Sequence, residues 1–197
     1  MPRVHYRKAR KAYPIVGIEV GDMYYTWRIR STYGGTTYRS KERPKPSQLT
    51  NSPFKSGYLS AVEIWEDSSK SPEDARGLAE ALREVGQEAQ ESFDNMPEGL
   101  QQGDTGQLLE ERAYECESKA DEIDGYADEL EAAVDEEKAA TERLSEAEGR
   151  VRDAENDEAE DDAQIECDDA QGEIDSARES ADAARDEIDQ LAEDMPE

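Results

Sequence analysis

Histidine is nearly absent from this 197-residue chain: His5 is the only one, beside two cysteines, two phenylalanines and two tryptophans. A structural zinc site needs four closely spaced nitrogen, sulfur or oxygen donors, and no cysteine precedes Cys116, so no metal site is assigned. Cys116 and Cys167 lie far apart without metal or redox spacing, which predicts a reduced, intracellular chain. Long apolar runs are also missing. None approaches the roughly 18 residues of a membrane span, and the opening MPRVHYRKAR lacks the apolar stretch of a signal peptide. The expected location is the cytoplasm, with no membrane partner.

The same scarcities remove most catalytic templates. One histidine, no glycine-rich phosphate loop and no spaced ligand set leave nothing to build a triad, a nucleotide site or a metal centre. Carboxylates are plentiful, but acid and base work needs two whose environments separate their pKa values, and solvated helix faces do not provide that. The reading is a non-enzyme with no catalytic residue and no cofactor.

What the chain has is charge, unevenly divided. Residues 1–67 carry twelve Lys and Arg against six Asp and Glu, net +6, while residues 68–197 carry eleven against forty-five, net −34. Such asymmetry implies two modules with different partners.

In the basic part, GDMYYTWRIRSTYGGTTYRSK alternates: Met23, Tyr25, Trp27 and Ile29 fall on one side, and Tyr24, Thr26, Arg28 and Arg30 on the other. YGGT supplies glycines for a tight turn and TTYRSK returns, which predicts a hairpin over 22–41 with one apolar face. The prolines of RPKPSQL end the strand. Ser52 then caps a helix with Pro53 at its first position, and Phe54, Tyr58, Ala61, Val62 and Trp65 share a stripe. A hairpin on one helix is a minimal core, so support from the N-terminal segment or the acidic helices is expected.

Arg3, Arg7, Lys8, Arg10 and Lys11 interleave with Tyr6 and Tyr13, and Arg28, Arg30, Arg39 and Lys41 lie on or beside the hairpin. Cations hold phosphates and aromatic rings stack on unpaired bases, so these are the candidate nucleic-acid-binding residues. The same charge also suits docking on an acidic surface, the chain's own second half included.

Beyond residue 68, Ser71 and Pro72 open an amphipathic helix in which Leu78, Leu82, Val85, Ala89, Phe93 and Met96 recur by threes and fours. Pro97 and Gly99 stop it. The connector NMPEGLQQGDTGQ, residues 95–107, is rich in hydrogen-bonding side chains. It serves either as an ordered loop that satisfies two helix ends or as a contact surface, for which Gln101, Gln102, Asp104 and Gln107 are the candidate partner-binding residues.

From there Leu109, Cys116, Ile123, Leu130, Leu144 and Val151 lie seven or fourteen apart, with Ala113, Ala120, Ala127 and Val134 in the complementary position and Glu137 as the one break. Cys116 is thereby a seam residue. The seam lapses across DAENDEAEDDAQ and resumes out of phase as Cys167, Ala170, Ile174, Ala177, Ala181, Ala184, Ile188, Leu191 and Met195. A phase break predicts a turn near 155–162 and an antiparallel pair, against the alternative of one long helix with a stutter. The expected fold is mainly α with a small N-terminal α+β module: a β-hairpin plus helix (1–67), an amphipathic helix with a turn-rich connector (68–104), and an acidic antiparallel helical bundle or coiled coil (105–197). Self-repulsion favours a monomer over a parallel homodimer.

The stretches KARKAYPIVGIEVGDMYYTWRIR with KPSQLTNSPF, and FDNMPEGLQQGDTGQLLEERA, resemble segments of an uncharacterised family of tailed-phage and mobile-element accessory proteins, over residues 4–130. That resemblance implies a phage-encoded protein in a bacterial host cytoplasm and assigns no residue a role. Together these observations suggest an interaction protein whose basic module contacts nucleic acid or a polyanionic complex, while the acidic rod engages a bacterial host protein. Carboxylate rows on a rigid helix also resemble DNA phosphates, so the alternatives are a DNA-mimic inhibitor of a host nuclease or defence protein, or a virion or assembly component.

Overall fold

The computed structural model describes residues 2–31, 34–154 and 157–196. The chain is mainly helical, with a small antiparallel sheet at its N-terminal end. In order come β1 (His5–Lys8), β2 (Met23–Ser31), β3 (Gly34–Ser40), α1 (Pro53–Glu66), α2 (Pro72–Asp94), a four-residue helix α3 (Glu98–Gln101), α4 (Asp104–Asp153) and α5 (Asp157–Glu193). Two compact units share these elements: one joins the segment ending at Asp67 to Ala81–Cys116, the other joins Ser68–Glu80 to Glu117–Pro196. Among the described residues no helix is long and apolar enough to cross a membrane.

In the first unit the sheet order is β1-β2-β3, with Arg7 opposite Tyr24 and Trp27 opposite Tyr38. The basic N-terminal segment thus supplies a third strand to the predicted hairpin. Residues 9–22 extend the β1–β2 connection as a narrow ribbon: Ala9 N–H donates to Asp22 O at 2.7 Å, and Tyr13 and Ile18 exchange backbone bonds of 2.7 and 3.2 Å. This ribbon corrects the expected polarity of β2. The correction is confined to its first residues: Tyr24 and Thr26, assigned to the polar side, are buried, with Ala9, Tyr13 and Ile18 packed on Tyr24, and Met23 is 43% exposed, whereas Trp27 is buried and Arg28 and Arg30 are exposed as expected. The two glycines of YGGT open β3, paired as Ser31↔Gly34 and Arg30↔Gly35, with Gly34 at φ 135°. The turn positions Thr32 and Tyr33 lie outside the described residues.

Helix α1 follows its sequence closely. The Ser52 side chain accepts from Lys55 N–H, Pro53 occupies the first turn, and Phe54, Tyr58, Ala61, Val62 and Trp65 are all buried. Each large side chain in that stripe is worth about 1.5–3 kcal/mol of burial. The proline-bounded turn Pro46–Leu49 is pinned between sheet and helix. Buried Glu63 accepts from Ser47 N–H at 2.8 Å and Ser47 Oγ at 2.7 Å, and Trp27 Nε1 donates to Gln48 O at 3.1 Å. A buried carboxylate is tolerated there because both its oxygens are hydrogen-bonded. The later chain completes this core: Gly57 lets Val85 approach, Gly86 lies against Ala113 and Cys116, and the Arg112 guanidinium sits 4.5 Å from the Phe54 ring centroid.

The second unit begins with a reciprocal cap at the start of α2. Ser71 N–H and Oγ donate to Asp74 Oδ2 at 3.0 and 2.8 Å, Ser69 Oγ donates to the same oxygen at 2.8 Å, and Asp74 N–H donates back to Ser71 Oγ at 3.2 Å. These donors hold the Asp74 carboxyl down at about 2. The first turns of α2 bury Ala75, Leu78 and Ala79, and Arg76 bridges Asp128 at 2.8 Å and Glu131. Lys70, at φ 56°, reaches Asp189 at 2.6 Å.

Between α4 and α5 the ion pairs Glu137–Arg178, Arg143–Glu173 and Arg150–Glu166, with Lys119–Asp194 just past the end of α5, rise along one helix as they fall along the other. Leu130, Ala133, Ala181 and Ala184 form a buried cluster. The α5 seam is buried from Cys167 to Ile188 as its spacing requires, with Ala163 and Ala192 added and Leu191 and Met195 half-buried. The α4 seam needs a correction. Cys116, Ala120, Ile123, Ala127 and Leu130 are buried, but beyond Leu130 the complementary position shifts by one residue, so that Ala133, Ala140 and Ala147 are inside and Val134 is 37% exposed. Two successive steps of three, from Ala127 to Leu130 to Ala133, produce the shift. Of the turn expected near 155–162, Glu155 and Asn156 lie outside the described residues, while residues 157–162 are already helical as the start of α5, so the expected turn is too long at its far end.

Candidate nucleic-acid interface

Strand register decides which cations stand together. Because side chains alternate across a strand, the pairs His5↔Thr26, Arg7↔Tyr24, Thr26↔Arg39 and Arg28↔Thr37 place His5, Arg7, Arg28, Arg30 and Arg39 on one face of the sheet. Arg28 and Arg30 are about 6.8 Å apart along their strand. The Arg28 side chain lies across Gly35, where a Cβ would meet its Nε at 2.8 Å, so that glycine leaves room for the guanidinium. Arg7, Arg28 and Arg30 are exposed and make no ion pair with any described carboxylate.

The remaining candidates separate. Lys8 is on the opposite face, Arg3 precedes β1, and Arg10 and Lys11 are exposed on the ribbon. Lys41 is held by Asp22 at 2.9 Å. Arg39 is half-buried, its guanidinium 4.4 Å from the Tyr13 ring centroid, and Lys11 lies 5.4 Å from the same ring. Tyr13 also meets Tyr24, with ring centroids 5.7 Å apart. Hydrogen bonding between the Tyr13 and Tyr24 side chains holds the Tyr13 phenol below its ordinary range, with help from Arg39 and Lys11, and raises that of Tyr24. Asp22 is likewise lowered, first by the Glu19 backbone N–H and then by Lys41.

The opposite face is aromatic. Tyr6 meets Tyr25 at a tilt of 35° with centroids 4.6 Å apart and Trp27 stacks on Tyr38 at 5.7 Å, with Tyr6 and Tyr38 partly exposed. Sequence reasoning omitted His5 from the basic set, although the alternation in VHYRK places it beside Arg7. It also gave no sign of the Tyr13–Tyr24–Arg39 cluster, which depends on how the ribbon folds back.

In the connector, Gln101 Nε2 donates to Phe93 O at 3.1 Å and so satisfies the end of α2. Gln102, Asp104 and Gln107 are exposed, with Asp104 in the first turn of α4 and Gln107 N–H donating to Gly103 O at 3.1 Å. Among the described residues no group of three His, Cys, Asp or Glu side chains is arranged to hold a metal ion. No protein-family profile, curated protein or solved structure matches the chain.

Proposed function

We propose that this chain is a non-enzymatic, phage-encoded interaction protein of the bacterial cytoplasm. Its N-terminal unit contacts nucleic acid, and α4 with α5 forms an acidic antiparallel coiled-coil rod that engages a host protein. The observation that carries the first half is the shared face of Arg7, Arg28 and Arg30, exposed and without a described carboxylate partner. Planar guanidiniums in a row are suited to phosphate oxygens. The test is anisotropy of labelled single- and double-stranded DNA and RNA with the full chain across a salt series. Binding should weaken linearly in log–log form, and Arg7, Arg28 and Arg30 replaced together by Gln should lower the slope by about three. Binding that does not weaken with salt removes the phosphate contacts.

A second reading draws on α5, whose only cations, Arg178 and Arg185, are already paired with Glu137 and Asp182. Beyond Glu166, Glu173, Asp182 and Asp189, which Arg150, Arg143, Arg185 and Lys70 hold, α5 has no further cation of its own to offset its outer carboxylates, as in a mimic of DNA directed at a host nuclease or defence protein. Capture of a DNA-binding host protein that added DNA displaces supports it; retention of that protein in excess DNA opposes it.

A further inference from the structure

Resting on the nucleic-acid reading, we infer that the tip of the ribbon, Pro14 to Gly17, is an apolar wedge that enters a base step of a DNA duplex. The sequence YPIVGIEV leaves Ile15 fully exposed, Val16 39% exposed and Val20 68% exposed, an unusual concentration of aliphatic surface on so short a projection. The tip is held in shape. Val16 N–H donates to Tyr13 O at 3.2 Å, Gly17 N–H to Pro14 O at 3.1 Å, and Gly17 takes φ 63°, a conformation that favours glycine. The root of the tip is fixed by the Tyr13–Tyr24 ring contact, with Arg39 over Tyr13, and the base of the ribbon by Gly21 N–H donating to Ala9 O at 2.9 Å.

Charge complementarity selects the occupant. Lys11 and Arg39 lie against the Tyr13 ring at the root of the tip and Arg10 is exposed on the same ribbon strand, while of the two acids on the return strand Asp22 is paired with Lys41 and Glu19 makes no ion pair with a described cation. An apolar protein pocket would not call for this collar of cations, whereas a duplex brings phosphates to them when an aliphatic side chain separates its bases. Proline and branched aliphatic residues at the end of a stiff projection are the side chains that perform such partial unstacking.

The test uses the full chain and a duplex with 2-aminopurine at a central TA step, since pyrimidine–purine steps open most easily. Wild-type protein should raise the probe's fluorescence on binding. Ile15→Ser with Val16→Ser should abolish that rise and weaken binding about tenfold or more, with the salt slope retained, because aliphatic contacts release no counterions. Both residues are exposed, so unchanged thermal unfolding will show that the variant folds. If wild-type protein binds the duplex without the fluorescence rise, or the variant binds equally well, the wedge is overturned and the arginine face stands. No binding by wild-type protein at any salt overturns both. Loss of a protein contact in the Ile15→Ser, Val16→Ser variant, with DNA binding intact, would assign the tip to a protein pocket and overturn the wedge.

Discussion

Arg178 on α5 donates from Nε to Oε1 of Glu137 on α4 at 2.7 Å, and Glu137 stands in the row that runs from Leu130 to Leu144. The acid that interrupts the apolar pattern is thus half-buried and paired across the helices. Its side chain is 33% exposed and that of Arg178 59% exposed, so the bond contributes about 0–1 kcal/mol. Glu137→Leu should restore the apolar row and stabilise the chain by about 1 kcal/mol, raising Tm by about 2–4 °C. A lowered Tm would mean that the ion pair matters more than the leucine.

A Cβ built on Gly106 would stand 2.1 Å from the carbonyl oxygen of Gln101, whereas one on Gly99 meets nothing within 4 Å. Gly106→Ala must displace backbone, and should cost about 1–3 kcal/mol in urea unfolding. Gly99→Ala, inside α3, should be neutral or slightly stabilising. Equal effects from the two would refute the close packing of α3 on the start of α4.

Asp74 gives a pH signature. Its folded pKa, about 2, lies below the unfolded value of about 3.9. The cap's contribution is therefore full above the unfolded value and is lost as pH falls through the folded one. The stability difference between wild type and Asp74→Asn should be constant near pH 6 and shrink steadily from pH 4 to pH 2. Comparing the two proteins cancels the relief of self-repulsion that acid brings to the other carboxylates. A difference that is flat over that interval would show that the serine donors do not favour the ionised form.

Cys116 and Cys167 are both buried thiols, and neither is in a disulfide. Burial pushes the Cys167 thiol up, and Glu148 and Asp168 add to the effect, so little thiolate is present near neutrality. An aromatic disulfide reagent at pH 7.5 should modify neither cysteine over minutes in the native protein and both at once in denaturant. Rapid native labelling of Cys167→Ser protein would place Cys116 outside the core.

Where a local pattern was self-sufficient, sequence and structure agree. The α1 stripe, the Ser52 cap, the start of α2 at Ser71 and Pro72 and the α5 spacing each depend on residues within a few turns of one another. Where a distant segment decided the outcome, alternation was not enough. Period two shows that Tyr24 and Tyr25 point apart, but only the folded ribbon shows that the Tyr24 side is covered. The heptad count likewise could not choose between Ala133 and Val134, since both lie within a step of three or four from Leu130. Of the basic candidates, alternation correctly grouped Arg28 with Arg30. It could not foresee that Lys41 is occupied by Asp22 or that Arg39 lies against Tyr13.

The first unit is discontinuous in the chain, its sheet and α1 complete by Asp67 but its remaining helices drawn from Ala81–Cys116. On a ribosome, the stripe of Phe54, Tyr58 and Trp65 must therefore wait for roughly fifty more residues, about 3–10 s of translation, before Val85 and Arg112 can reach it. A nascent chain stalled just past residue 67 should accordingly be sensitive to protease and held by nascent-chain chaperones, and one stalled after residue 116 has emerged should be protected from the first and released by the second.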